Sequence, residues 1–221
     1  MKDKTTVILV AAGEGVRWNN YLGTTKHKVI VDGESLLERT VRLFKGCDIK
    51  IIGRDETYEV EGAELCIPKE VGMHDLNRQC YNSQHLWNQE GRTIIVLGDV
   101  FFTKEAVKTI RGYKGDDIRI FGRKAKGKVN GCLWGELFAH TFLPEHHTEY
   151  ANAYLRASKI IKDDGRLNDW WEHYRFLDGI NPMVHDTGKR FVEINDFTDD
   201  FDRPENYKIW LKHYKNRNNE V

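Results

Sequence analysis

A turn of small residues, Ala11-Ala12-Gly13-Glu14-Gly15-Val16-Arg17, follows the first apolar run of the chain. Its backbone amides can come close to a phosphate because no bulky side chain stands in the way. Arg17 closes the turn and Lys26 and Lys28 follow soon after, offering a planar guanidinium and two ammonium point charges to a polyphosphate. The turn differs from two better-known phosphate loops. A dinucleotide-binding fingerprint needs a third glycine where Trp18 stands, and a Walker loop needs a Gly-Lys-Ser/Thr that is absent. Acids supply the opposite half of the chemistry. Gly98-Asp99 ends the apolar run Thr93 to Leu97, at the strand terminus where open α/β sheets bind ligands. A second group, Asp196, Asp199, Asp200 and Asp202, precedes Pro204.

The elements that must carry these residues follow from periodicity. Short apolar runs alternate with helix-period stretches, which implies an α/β fold: a three-layer sandwich with a mostly parallel central sheet. Thr6 to Ala11 reads as a strand apolar on both faces. A helix begins after Ser35, where Ser35 and Glu38 form a capping box ahead of Leu37, Val41 and Phe44. Further strands are expected at Ile49 to Ile52, Leu65 to Ile67, Thr93 to Leu97, Ile118 to Phe121, Leu133 to Ala139 and Phe191 to Ile194. Helices are expected over 74 to 89 and from Lys104 to Ile110. The stretch 140 to 188 is polar, rich in His and Trp, and weakly periodic. Pro204 opens a last helix carrying Tyr207, Trp210, Leu211 and Tyr214 on one face, and the tail Lys215 to Asn219 is expected to fray.

The 221 residues carry 34 Lys+Arg against 34 Asp+Glu and are 40% hydrophobic, a composition that fits one ordinary soluble domain and neither disorder nor a coiled coil. Zero formal charge gives no field to attract nucleic acid or an anionic membrane, so an anionic ligand must be held by local groups. Cys47, Cys66, Cys80 and Cys132 lack metal or disulfide spacing, and the first apolar run is too short for a signal or a membrane span. A cytoplasmic protein with reduced thiols is expected.

With these residues in place the chain resembles a known superfamily. The stretch Leu9 to Arg17, then Thr25-Lys26, then Val31-Asp32-Gly33-Glu34-Ser35-Leu36-Leu37, is similar to the signature L-x-A-A-G-x-G-x-R, P-K and V-x-G-x-P-L-L of the nucleotidyltransferases. That superfamily includes sugar-1-phosphate, phosphocholine and molybdopterin nucleotidyltransferases. The resemblance covers about the first 45 residues and implies a GT-A-like fold over a single domain, 1–221. It implies transfer of a nucleoside monophosphate from a nucleoside triphosphate to a phosphorylated small molecule, a sugar phosphate before others, with pyrophosphate released and Mg2+ required. By the same resemblance Ala11, Ala12, Gly13, Glu14 and Gly15 bind the nucleotide, and Arg17 and Lys26 act in catalysis. Asp99 and Asp202 hold the metal, with Asp200 as the substitute for Asp202. Asn82 and Ser83 match loosely a nucleotide-binding position on the helix before the metal strand. Thr25 stands where proline is usual, Lys28 where an apolar residue is common, and Asn206 where the last acid would be. A homo-oligomer is compatible with this reading.

No signature aligns over residues 122–190, which are expected to form a less regular acceptor-binding lobe. Arg123-Lys124-Ala125-Lys126-Gly127-Lys128 reads as a solvated loop, or as a steering patch for an anionic acceptor. Trp170-Trp171 with His173 is either core or the lining of a sugar pocket. His146-His147 lacks a third metal ligand and reads as solvent-exposed. Two other functions remain open at this stage: a GT-A-type glycosyltransferase that uses Asp200-Phe201-Asp202 as a D-x-D metal motif, and a nucleotide-binding module without turnover.

Overall fold

The central strand, β1 (Thr6–Val10), is buried at every position, as a run of β-branched and aliphatic residues with no polar face requires. The computed structural model describes residues 5–68, 76–127, 129–164, 170–184 and 186–217. Short strands β2 (Ile30–Val31) and β3 (Glu34–Ser35) form a tight hairpin, and helix α1 (Leu36–Leu43) starts directly after it. The Ser35 side chain accepts from the Glu38 amide at 3.2 Å while Glu38 accepts from the Ser35 amide at 2.7 Å, so the capping box forms as the sequence predicts. Then come β4 (Asp48–Ile52), β5 (Glu64–Cys66), α2 (Leu76–Asn82), β6 (Thr93–Leu97), β7 (Val100–Phe101), α3 (Lys104–Gly112), β8 (Arg119–Arg123) and β9 (Glu136–Phe142). The chain closes with α4 (His147–Asp164), α5 (Trp170–Asp178), β10 (Phe191–Glu193), β11 (Asp199–Asp200) and α6 (Pro204–Asn216).

Seven strands make the main sheet in the order β10-β8-β9-β6-β1-β4-β5. β9 alone runs antiparallel to its neighbours β6 and β8, and the other strands share one direction. The mostly parallel three-layer architecture is therefore as expected. Side chains of β1 leave alternately: Val7 and Leu9 pack with α1 and α3, while Ile8 and Val10 pack with the layer of α4 and α5. A third apolar cluster, with Trp18, Phe101, Phe201, Tyr207 and Trp210 at its centre, seats α6 against the far end of the glycine turn.

The weakly periodic reading of 140 to 188 is corrected. This stretch holds an 18-residue helix, α4, whose buried face is Tyr150, Ala151, Ala153, Tyr154 and Ala157. Trp170 and His173 are core: His173 stacks on Tyr154, with ring centroids 3.7 Å apart, and burial pulls its pKa down to about 3. His146 and His147 are half-buried rather than exposed; His146 contacts the Asp116 carbonyl oxygen and His147 packs edge-on to Trp87. The strand expected at Leu133 begins at Glu136. Helix α2 gives way after Asn82 to a 3-10 turn, and the first two residues of the expected helix, 74 and 75, lie outside the described residues. In the tail, Lys215 and Asn216 continue α6, while Asn218 and Asn219 lie outside the described residues. All four cysteines are free thiols, and among the described residues no helix is long and apolar enough to cross a membrane.

Candidate active site

The glycine turn leaves β1 at its carboxyl end. The Ala11 amide still donates to the Ile52 carbonyl at 2.9 Å, and the Ala12 amide donates to the side-chain oxygen of buried Gln79 at 3.1 Å. Gly15 has φ of +63°, a left-handed conformation that favours glycine. Among the described residues, the amides of Gly13, Glu14, Gly15, Val16 and Arg17 donate no hydrogen bond. Five successive free amides on a surface turn form a site suited to an anion. Trp18 takes the place of a third glycine for a structural reason: its indole is buried and its Nε1 donates to the Thr24 carbonyl at 2.9 Å, pinning the far end of the turn.

Asp99 stands beside this turn because Gly98 lets β6 approach β1 closely. A Cβ on Gly98 would lie 2.7 Å from that of Ala11, and the Gly98 amide donates to the Val10 carbonyl at 2.9 Å. The second acidic segment is brought in by a ladder of two short strands. β11 pairs antiparallel with β7, setting Asp200 opposite Val100, and the Phe201 amide donates to the Asp99 carbonyl at 3.1 Å. Residues a hundred positions apart in sequence thus share one edge. Asp99, Asp200 and Asp202 each present a carboxylate oxygen such that all three oxygens lie within 4.8 Å of one another.

Two cations reach into the same cluster. Lys26, on a 3-10 turn, contacts Asp99 Oδ2 with its ammonium and lies 2.7 Å from Asp202 Oδ1. Arg17 Nη2 lies 2.6 Å from Asp202 Oδ2. Burial works against the Lys26 charge, but Asp99 and Asp202 outweigh it and raise the pKa above the usual lysine range. Burial opposes the Asp99 carboxylate as well, and Lys26 overrides it, holding Asp99 below its ordinary value. Asp200 behaves differently. Its Oδ1 is buried with no hydrogen-bond partner, and burial together with Glu136, Asp202, Asp199 and Asp99 pushes it well above the carboxylate range. Glu136, the first residue of β9, is raised to about 8 by burial and by the charges of Asp202 and Asp199. An excess of carboxylates over cations, one with a bare buried oxygen, is a hard-oxygen set of the kind that holds a divalent cation such as Mg2+.

Asn82 ends α2 on the wall of a cavity of about 700 Å³, which Ile52, Cys66, Gln79 and Tyr81 also line. Through Gln79 this cavity adjoins the start of the glycine turn. Ser83 is buried, donates to the Cys80 carbonyl at 2.7 Å and accepts from Trp87 Nε1 at 3.1 Å, so its hydroxyl serves the fold. Lys28 reaches Thr57 rather than the glycine turn. The solvated-loop reading of 123 to 128 is corrected at its first residue. Arg123 is 1% exposed and its Nη2 lies 2.8 Å from Asp199 Oδ1, while Lys124, Ala125 and Lys126 are exposed; Lys128 lies outside the described residues. Sequence reasoning missed Glu136 and Gln79, and treated Asp200 and Asp202 as alternatives although both belong to the cluster. The signal was present: residues two apart on an extended segment face the same way.

The fold, a mostly parallel sheet with helices packed on it, is the one seen in solved nucleotidyltransferase structures. Solved structures align with almost the whole chain. It superposes on the CTP:phosphocholine cytidylyltransferase LicC of Streptococcus pneumoniae with a TM-score of 0.57 and 14% identity, covering 93% of this chain and 96% of that one. The inositol-1-phosphate CTP transferase of T. maritima gives 0.57 and 14% identity, covering 96% and 97%. A UDP-glucose pyrophosphorylase complexed with UDP-glucose gives 0.60 and 12% identity, covering 97% and 100%. No protein-family model and no curated protein matches the sequence.

Proposed function

We propose that this chain is a Mg2+-dependent nucleotidyltransferase that moves a nucleoside monophosphate group from a nucleoside triphosphate to a phosphorylated small molecule, a sugar phosphate before others, and releases pyrophosphate. The observation that carries this reading is the convergence of Asp99, Asp200 and Asp202 beside a turn of free amides, with Lys26 and Arg17 between them. The names of the structural neighbours, which transfer nucleotides to phosphocholine or inositol 1-phosphate, support the same class of acceptor.

On this reading the amides of residues 13 to 15 and the Arg17 guanidinium hold the β- and γ-phosphates. Asn82 and the cavity over Gln79 take the nucleoside. Lys26 neutralises the charge that gathers on the α-phosphoryl group as the acceptor phosphate attacks. No general base is needed, because the acceptor phosphate is already anionic near neutral pH. Asp99, Asp200 and Asp202 would hold magnesium, which when bound screens the negative charge of the triphosphate.

The test is pyrophosphate release across a matrix of the four ribonucleoside triphosphates and phosphorylated acceptors. At least one pair should turn over with Mg2+, and Asp99→Ala should abolish it. Near-normal release by that variant would overturn the assignment of the site. The D-x-D spacing of Asp200 and Asp202, both facing the cluster, favours a second reading, a glycosyltransferase using a nucleotide sugar. The cations beside the glycine turn favour the first, since a departing pyrophosphate needs them. Turnover of nucleotide sugars with no pyrophosphate release would reverse that order, and binding without either reaction would mark a module without turnover.

A further inference from the structure

The two cations that touch the acids are the same two that face the phosphate turn. Arg17 is its last residue, and the Lys26 stem passes beside it: a Cβ on Gly15 would lie 3.8 Å from Lys26 Cγ. Both groups are paired with carboxylates. Lys26 takes Asp202 Oδ1 and Asp99 Oδ2, and Arg17 takes Asp202 Oδ2, so both oxygens of Asp202 are occupied. Asp200 Oδ1 alone of the three acids' converging groups is buried with no partner.

We propose that Lys26 is a resident counter-cation of the metal site, which a divalent ion must displace and an incoming triphosphate draws away. Metal alone then binds weakly, and metal and triphosphate bind with positive coupling. This inference rests on the nucleotidyl-transfer reading above. Its physical basis is repulsion between like charges. A divalent ion on these oxygens and an ammonium about 4 Å away repel enough to cost roughly tenfold or more in affinity even with water's screening. A triphosphate on the amides of residues 13 to 15 gives both cations another anion within reach of their side chains, which frees Asp99 and Asp202. Because the coupling is an equilibrium quantity it is reciprocal: bound metal strengthens triphosphate binding by the same factor. Arg17, more than half exposed, should contribute less than Lys26, which is largely buried between the two acids.

Mn2+ binding to the full chain without nucleotide, followed by electron paramagnetic resonance, tests this on wild type, Lys26→Met and Arg17→Met, with circular dichroism to confirm folding. Lys26→Met should bind Mn2+ about tenfold or more tightly than wild type, and Arg17→Met a few-fold more tightly. A folded Lys26→Met with unchanged or weaker affinity overturns the proposal. Should that variant not fold, Arg17→Met decides, and no gain there overturns it. Pyrophosphate release by wild type is measured alongside. Release with no gain in either variant sinks the counter-cation role and leaves the transferase standing, whereas no Mn2+ binding and no release from any triphosphate sinks both.

Discussion

Asp199 and Asp200 are neighbours on one two-residue strand, yet their side chains meet opposite surroundings. Asp199 is 1% exposed and both its oxygens are taken, one by Arg123 Nη2 at 2.8 Å and the other by Asn130 Nδ2 at 2.9 Å. Asp200, equally buried, has an oxygen with no partner and faces Glu136, Asp202 and Asp99. Alternation along the strand explains the split: Asp199 turns toward the sealed side and Asp200 toward the site, with Phe201 back in the core and Asp202 again at the site. Burial of a charge is thus no mark of function by itself. A buried ionisable group whose partner is missing is the informative one, because the fold bears its cost without a return in stability.

The strongest way to break this comparison is to remove the partner on the sealed side. Arg123→Met leaves Asp199 buried without its cation and strips donors from the Trp134 carbonyl, which Arg123 Nη1 reaches at 2.6 Å. The expected loss is about 3–5 kcal/mol, as for other broken buried pairs. In a chain of this size that lowers the melting temperature by roughly 10 °C. Adding Asp199→Asn should recover part of the loss, because the uncompensated charge goes with it. A neutral single variant would mean that Asp199 is no better satisfied than Asp200.

On the open side the sign reverses. Asp200→Asn puts a neutral amide where burial and four other carboxylates already disfavour the ionised acid, and no cation is lost. Metal-free protein should gain about 1 kcal/mol, read as a higher melting temperature in chelator. On the transferase reading proposed above, pyrophosphate release should fall by at least roughly a hundredfold, since a neutral amide would replace a hard anionic ligand. A variant that melts lower than wild type in chelator would show that Asp200 has a partner and would erase the contrast.

What could be read from sequence follows how local the determining forces are. The glycine turn, the capping box and the position of Asp99 depend on residues close in the chain, and each was legible from composition and spacing. The union of Asp99 with Asp200 and Asp202 depends on pairing between β7 and β11, two residues each, too short to leave a pattern. Arg123 was hidden by its neighbours: a run of charges reads as solvated, while its first member is sealed by Asp199, which lies 76 residues away in sequence. Helix α4 was hidden by its composition. Tyr150, Ala153, Tyr154 and Ala157 have the i, i+3, i+4, i+7 spacing of a buried face, but tyrosine and alanine carry less apolar signal than leucine or isoleucine.

The smallest effect concerns the backbone that presents Lys26 to the open side. At Thr25 the sequence departs from the signature it resembles, where proline would fix one backbone angle, and a looser turn is the natural expectation. The structure shows instead that Thr25 already sits at φ −73° and ψ 153°, within proline's range, and that Thr24 before it is extended at φ −143° and ψ 164°. Among the described residues the Thr25 amide donates no hydrogen bond, and its hydroxyl meets the Tyr58 hydroxyl only at a long 3.5 Å. Proline therefore loses little in the folded state and restricts the unfolded chain. Thr25→Pro should stabilise by about 0.4–1 kcal/mol, a rise of roughly 1–4 °C in melting temperature. The Lys26 contacts to Asp99 and Asp202 should survive, so pyrophosphate release should stay within about twofold of wild type. A destabilised Thr25→Pro would place the strain in the turn itself, and Lys26 would then owe its position to the acids alone.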